Sequence, residues 1–600
     1  MPRLTIATSG TARAPLKQPE LDDENGTTAR AMTTKSITHT QRANFCVSKL
    51  RLDIASVTML PINAWREAAT NFTDTRSPLE LFGVAVAVSS VAYALWFFCS
   101  LAARRSPFAR GPRWHWFVGS TVEFVTNFPR INEWVLDCTE KYGKFKQTWG
   151  FTMLSAGVFA KGFLCLVTPE DVRHVLKGNF EGYEKGVLAT PFTDFIGSSI
   201  FTTDGPVWKF HRKVASHMFS RKLLIDGTEV AFNQAKKFIA MLDDKARTGE
   251  SVDVQPAFFA FTMDTFCIIA FGMDFKSSHT SQSEFANAFD RVQQLATLRL
   301  GNAAWPIQRF LGIGAEKELA EKIGITAKFA NEIIENKRRR VQSSNEPLGV
   351  DLVTRFLERA KANGEYLSTQ DLRDIVLSFL LAGRDTTASA LSWSIYEVCR
   401  RPEIADIIRS ELAQHVPAKK SLLELPYEEA FHILSTGLVE TKAVVMEVLR
   451  LHPSVAFDMK LARKDDVLPS GTKVPKGCAV VYAPYAMGRN PEIWPEPEKF
   501  DHTRFLSSVR DEPSSKNGRK KRISVYRPTS VSDYKYPVFN AGPRLCLGRP
   551  LAVLEIQLML CALVERYDFK PSKPHTSKIK LAPVASNADG VPVYVTSRPR

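Results

Sequence analysis

Residues 539–552 read FNAGPRLCLGRPLA. Gly542 and Pro543 suit a tight turn, the first through its freedom at φ and the second through its fixed φ. Gly548 lets backbone approach closely, and Arg544 places a cation two residues before Cys546. A helix starting near residue 547 would aim its N-terminal N–H groups back at the Cys546 sulfur, and Phe539 could cover it. Positive potential and N–H donors stabilise a thiolate. Two readings are therefore open for Cys546, an ordinary loop thiol or a sulfur presented to a ligand. The other cysteines, at 46, 99, 138, 165, 267, 399, 478 and 561, are scattered singly with no C-x-x-C, and the total of nine is odd. That pattern argues against a disulfide framework and a zinc site, and for a catalytic domain in a reducing compartment.

The chain of 600 residues, 44% hydrophobic and 24% charged, has globular composition and length enough for one large domain with tails. A formal net charge of +16 suits an acidic partner or an anionic membrane surface. It also suits nucleic acid, but no zinc-finger spacing or RNA-binding signature supports that reading, and no nucleic-acid partner is expected.

Residues 79–103, LELFGVAVAVSSVAYALWFFCSLAA, carry no charge from Leu81 to Ala103 and are long enough to cross a bilayer core as a helix. Trp96, Phe97 and Phe98 form an interfacial cluster at one end, followed by Arg104, Arg105, Arg110 and Arg113, against only Arg66 and Arg76 on the other side. This asymmetry predicts a single-pass anchor with everything C-terminal to it in the cytosol. Residues 1–78 form a polar extension, read either as disordered or as an over-extended gene model, and 104–600 as the catalytic domain.

FLCLVTP (163–169) reads as a strand, and helical periodicity is clearest at 229–245, 318–341, 369–400 and 428–451. Beyond residue 460, turn signals such as LPSGTKVPKG separate short β-like runs such as CAVVYAPY. The expected fold is mainly α with a minor β-sheet portion. Residues 508–535, with GRKKR at 518–522, read as an inserted solvated loop.

Three further constellations stand out. Within 369–400, Ser368 and Asp371 form a capping pair, and Ala382-Gly383-Arg384-Asp385-Thr386-Thr387 interrupts the helix with a glycine and two threonines able to bond backbone carbonyls. The helix can open there, and Asp385-Thr386 offers an acid–alcohol pair. Glu447 and Arg450 stand at i and i+3 on an apolar helix, so burial is expected, with Arg504 as third member. Trp208 and Arg212, one helical turn apart, offer an indole N–H and a guanidinium to one anion.

Together, Phe539, Gly542, Arg544, Cys546 and Gly548 (F-x-x-G-x-R-x-C-x-G), W-x-x-x-R at 208–212, A-G-x-D-T-T at 382–387, E-x-x-R at 447–450 and the element Phe500, Arg504, Phe505 resemble, in order, the motifs of cytochrome P-450 monooxygenases. Resemblance covers about 110–598. FDMKLARKDDVLPSGTKVPKGCAVVYAPYAMGRNPEIW (457–494) is similar to the microsomal fatty-acid ω-hydroxylase clan. Asp501-His502-Thr503 departs from it by lacking the proline–glutamate expected before the arginine. The resemblance implies the cytochrome P-450 fold, haem b held by Cys546 as axial ligand, and dioxygen reduced with NADPH electrons from a cytochrome P-450 reductase. It implies that Asp385 and Thr386 relay protons and Gly383 makes room for dioxygen. Trp208, Arg212 and Arg544 would hold haem propionates, while Glu447, Arg450 and Arg504 form a structural ion-pair network. Phe192, Phe195, Ile196, Phe379, Ala382, Val455, Ala456 and Phe457 would line an apolar substrate pocket. The expected activity is hydroxylation of a fatty acid at or near its ω carbon, at the endoplasmic reticulum membrane. Alternatives are a sterol, terpenoid or alkane substrate, or a non-catalytic haem-thiolate sensor.

Overall fold

Long amphipathic runs without interior proline form the helices, and the short β-branched runs after residue 460 form strands. The computed structural model describes residues 89–92, 108–115, 118–153, 162–275, 284–343, 351–362, 367–418, 420–514 and 521–599. The chain divides into Met1–Trp96 and Phe97–Arg600. Of the first unit only 89–92 are described, as one helical turn, so the rest of the expected anchor at 79–103 and the 1–78 extension lie outside the described residues.

The helices that position the site are α1 (Ile131–Lys141), α2 (Gly205–Ser216), α3 (Arg221–Thr248), α4 (Val254–Phe271), α5 (Glu284–Leu298), α6 (Trp305–Leu311), α7 (Ala315–Ser343), α8 (Thr369–Leu380), α9 (Thr386–Arg400), α10 (Val439–Leu451) and α11 (Arg549–Arg566). The strands are β1 (Trp149–Phe151), β2 (Phe163–Leu166), β3 (Tyr183–Glu184), β4 (Val252–Asp253), β5 (Asp458–Ala462), β6 (Asp466–Val467), β7 (Lys473–Val474), β8 (Ala479–Tyr482), β9 (Leu506–Ser514), β10 (Lys521–Pro528), β11 (Tyr567–Pro571) and β12 (Pro592–Ser597). The principal sheet runs β1-β2-β8-β5-β3, antiparallel except for the β2–β8 pair. A second sheet runs β11-β12-β4.

α11 is apolar around most of its circumference, so it can be stable only inside other helices. Leu554, Ile556, Leu560 and Val564 join Phe238, Trp393 and Val444 in the main core between α3, α9, α10 and α11. Among the described residues, α4 is the one helix long and apolar enough to cross a membrane, but 67% of it is buried in the domain, as expected of a core helix. The 369–400 run begins with the expected capping box at Ser368 and Asp371, then splits at a π-helical turn, Leu381–Asp385. The 428–451 run also divides: a second π turn at Ile433–Gly437 separates a short helix from α10. Residues 508–535, expected to be a loop, are largely a hairpin: β9 and β10 pair antiparallel with an irregularity between Ile523 and Val525, and pack near α10.

Candidate active site

The thiol loop is built from two short turns. Pro537–Phe539 leads into Asn540 at φ +61° and, two residues later, Gly542 at φ +62°. The Cys546 N–H donates to the Phe539 carbonyl at 2.8 Å, closing the loop, and α11 begins at Arg549 with Pro550 in its first turn. A Cβ on Gly542 would stand 2.2 Å from the Leu176 carbonyl oxygen, so only glycine fits. Gly548 differs: its φ is −79° and a Cβ would meet Phe219 and the Cys546 sulfur at ordinary contact distance. The Phe539 ring lies 5.2 Å from the Arg549 guanidinium.

Among the described cysteines, Cys546 alone is exposed; the others are buried, or half-buried at Cys399. Yet burial pushes its thiol up, opposed by N–H donation from Gly548 and Arg549 and by the charges of Arg212 and Arg549. Accessible sulfur deep in protein is what a side chain facing an internal cleft would show. The expected donors and cations are in place, and a coordinated cation would supply the further stabilisation that a thiolate needs against burial.

The cations around this loop are incompletely paired. Arg212, on α2, has no hydrogen bond or ion pair among the described residues, and burial lowers its pKa. Arg544 is committed to Asp204 at 2.6 Å and to the carbonyls of Thr203 and Ile200, and its guanidinium lies 4.6 Å from the buried Trp208 ring. Its Nε is buried without a partner and is the nitrogen left for an external carboxylate. Lys460, absent from the expected site, is 2% exposed on β5, and burial lowers its pKa well below the lysine range. Burial opposes ionisation of its strand neighbour Asp458, but the charges of Lys185 and Lys460 and bonds from Lys185 and the Tyr482 hydroxyl hold that carboxyl below its usual range. The signal was available: Asp458 and Lys460 alternate in a strand, so both face one side. Arg212, whose charge acts on the Cys546 sulfur, together with the unpartnered Arg544 Nε and the buried Lys460 amine near Arg544, would suit an iron porphyrin with two carboxylates.

The interrupted helix carries the acid–alcohol pair. At its π turn, Thr386 Oγ1 donates to the Ala382 carbonyl at 2.7 Å, and the Thr386 carbonyl accepts from Ser454 at 2.8 Å. Asp385 turns elsewhere, accepting from Gln293 and Arg384 at 2.7 Å each, and no hydrogen bond joins it to Thr386. A Cβ on Gly383 would fall 2.0 Å from the Phe266 ring, so the glycine lets that side chain pack closely on the helix.

Glu447 and Arg450 are fully buried and joined by two bonds of 2.7 and 2.8 Å. Arg450 also donates to the carbonyls of Gly488, Pro497 and Lys499. Arg504 joins as expected, its Nε 3.5 Å from Glu447 Oε1, close enough for ion pairing though not aligned as a hydrogen bond.

The expected pocket residues scatter. Phe195, Ile196 and Phe379 belong to a buried core cluster on which Phe192 packs, Val455 is exposed, and Ala456 packs with Tyr485 and Ala585. Phe457 does line an apolar cavity of about 70 Å³, with Phe124, Phe128, Val135, Met153 and Leu188. Phe124 and Phe128 were not legible as pocket residues because helical apolar spacing is the same for core and cavity walls.

A glycine-turn loop presenting an exposed thiol, with the unpaired Arg212 acting on the sulfur and a buried Glu–Arg pair behind it, is the arrangement of a haem-thiolate oxidoreductase. The family model "Cytochrome P450" matches residues 109–589, and the chain belongs to the cytochrome P450 family. It is similar to cytochrome P450 94A1 of Vicia sativa, at 33% identity over 469 residues, 77% of this chain and 85% of the relative. It is also similar to cytochrome P450 94B1 of Arabidopsis thaliana, at 32% over 473 residues (77% and 86%), and to cytochrome P450 monooxygenase cyp1 of Mycosarcoma maydis, at 31% over 539 residues (87% and 78%). The protein is a monooxygenase that uses haem b, dioxygen and electrons from a reductase on an apolar substrate.

Proposed function

We propose that this enzyme hydroxylates a fatty acid at or near its ω carbon. The observation that carries the reading is the small cavity walled by Phe124, Phe128, Val135, Met153 and Phe457, whose surface is almost wholly apolar and suits a short segment of an acyl chain. Its Phe457 opens the stretch 457–494 that resembles the ω-hydroxylase clan. When bound, haem supplies dioxygen activation and transfer of one oxygen atom to a C–H bond. Cys546 would hold the haem iron through its sulfur, presented by the Gly542 turn and by the N–H groups of Gly548 and Arg549. Arg212, Lys460 and the Arg544 Nε would hold the propionates, with the Trp208 ring holding Arg544 in place. Asp385 holds a proton at its carboxyl, and Thr386 Oγ1 joins the relay after exchanging its bond to the Ala382 carbonyl, which requires Asp385 to turn from Gln293 and Arg384. Glu447, Arg450 and Arg504 fix the segment between α10 and the thiol loop.

Electrons come from an NADPH cytochrome P450 reductase, which docks on the exposed Lys209, Lys213, Arg221 and Lys222 of α2 and α3. Residues 79–103 anchor the enzyme in the endoplasmic reticulum membrane with 104–600 as a cytosolic catalytic domain. Exposed apolar side chains on α6, with Phe310 at 87% and Ile307 at 65% exposure, support a membrane-facing surface. The test is NADPH-dependent turnover of fatty acids of graded chain length, with products located along the chain. Terminal or near-terminal hydroxylation is expected; turnover of sterols or terpenoids with none of fatty acids would overturn the substrate assignment.

A further inference from the structure

The π turn between α8 and α9 packs against α4, and beside it a crevice of about 170 Å³ is lined by Gln255, Asp290, Gln293, Arg384, Asp385 and Lys580. Asp385 is gripped on both oxygens: Gln293 Nε2 donates to Oδ2 and Arg384 Nη1 to Oδ1, each at 2.7 Å. The same Nη1 lies 2.6 Å from Asp290 Oδ1, so one guanidinium is shared by two carboxylates. Arg384 is kept in place by the rings of Phe259 and Phe289, at 4.8 and 5.6 Å. Exposure falls along the set, from 39% at Asp290 to 4% at Arg384 and 2% at Asp385, which gives it a solvent end and an interior end.

We propose that Gln293 and Asp290, both on α5, are positioning residues for Asp385 that fix which way its carboxyl faces and how readily it takes a proton from the crevice. The inference rests on Asp385 as the proton carrier. A carboxyl with that task needs its two charge states close in free energy near the working pH. Burial disfavours the anion; Arg384 and the Gln293 donor favour it; Asp290 disfavours it, and the balance brings the carboxyl up to about 6. The other charges facing this region are the buried Asp264 of α4 and Lys580 on the crevice wall, and burial keeps the nearby Cys267 thiol protonated. Two neighbours on one helix therefore act on one carboxyl with opposite sign. Gln293→Leu removes a donor to the anion and raises the pH of proton loss. Asp290→Asn removes a like charge, leaves Arg384 to Asp385 alone, and lowers it.

The test uses full-length, haem-loaded protein labelled with ¹³C at aspartate carboxyls. The protonated C=O infrared band lost in Asp385→Asn is titrated from about pH 4 to 9. Gln293→Leu is expected to move the midpoint up by about one pH unit and Asp290→Asn to move it down by a similar amount. The pH at which NADPH electrons divert from product to hydrogen peroxide should move with each. Asp290 is partly exposed, so its variant folds even where Gln293→Leu fails to, and its downward shift alone keeps the proposal exposed to refutation. Unchanged midpoints, or shifts of the same sign, overturn the proposal while Asp385→Asn still impairs coupling. If Asp385→Asn couples like the wild type, the proton-carrier reading fails and this one with it.

Discussion

Gly542 is a residue without alternatives. Its φ of +62° and the Leu176 carbonyl 2.2 Å from where a Cβ would be are independent demands for glycine, and together they set the loop that delivers Cys546. Gly542→Ala should cost on the order of 2 kcal/mol or more, because backbone rather than a flexible side chain must move. Differential scanning calorimetry of the haem-loaded variant checks this, and Gly548→Ala, whose Cβ meets only ordinary contacts in the protein, serves as the comparison. Lys460 gives a second test at this scale. A buried ammonium at strand spacing from Asp458 is stable only beside further negative charge. Lys460→Met should therefore weaken haem retention several-fold during gel filtration, whereas Lys473→Met, at an exposed strand position, should not.

At the scale of elements, α11 carries both the end of the thiol loop and a buried acid. Burial pushes the Glu555 carboxyl up from 4.5 to about 8. The native protein therefore keeps a proton that the unfolded chain loses from pH 4.5 upward, so the stability this group contributes is full below pH 4.5 and is lost as pH rises through 8. Glu555→Gln should raise the melting temperature at about pH 9 more than at about pH 5. Equal shifts at both would place the origin of the effect in packing. α10 supplies the complementary case. Glu447→Ala leaves Arg450 buried and uncompensated and should destabilise by about 3–5 kcal/mol, measured as lost soluble, haem-loaded protein. This ion pair was legible from sequence because opposite charges one turn apart sat among apolar neighbours. The helix break at 381–385 was legible too, since glycine and threonine compete with the helical bonding pattern. The partners of Asp385 were not: Gln293 lies on another helix, and neither periodicity nor composition tells which helix faces which. The strand pair within 508–535 was not legible because polar, basic strands have the same composition as a solvated loop.

At the scale of the whole molecule, the basic excess and the apolar surface of α6 act on different partners. Removing residues 1–103 should leave a domain that still takes up haem but sediments less with membranes. A further Phe310→Ser and Ile307→Ser change should reduce the remaining sedimentation, as read in vesicle flotation. Electron transfer should slow as ionic strength rises, because exposed charges are screened within about 10 Å at 0.1 M salt. Lys213→Glu should reproduce that slowing at low salt without altering the haem spectrum. The Arg384–Asp290 pair, by contrast, is largely shielded from solvent at its arginine end and should respond little to salt.

The claim on which all of this depends is that Cys546 ligates haem iron. The direct measurement is the carbon monoxide difference spectrum of the reduced protein, recorded for the wild type, Cys546→Ser and Cys399→Ala. The red-shifted Soret band of a thiolate-ligated haem is expected for the wild type and for Cys399→Ala, and its loss in Cys546→Ser. A thiolate band that survives in Cys546→Ser, or is absent from the wild type, would contradict the account.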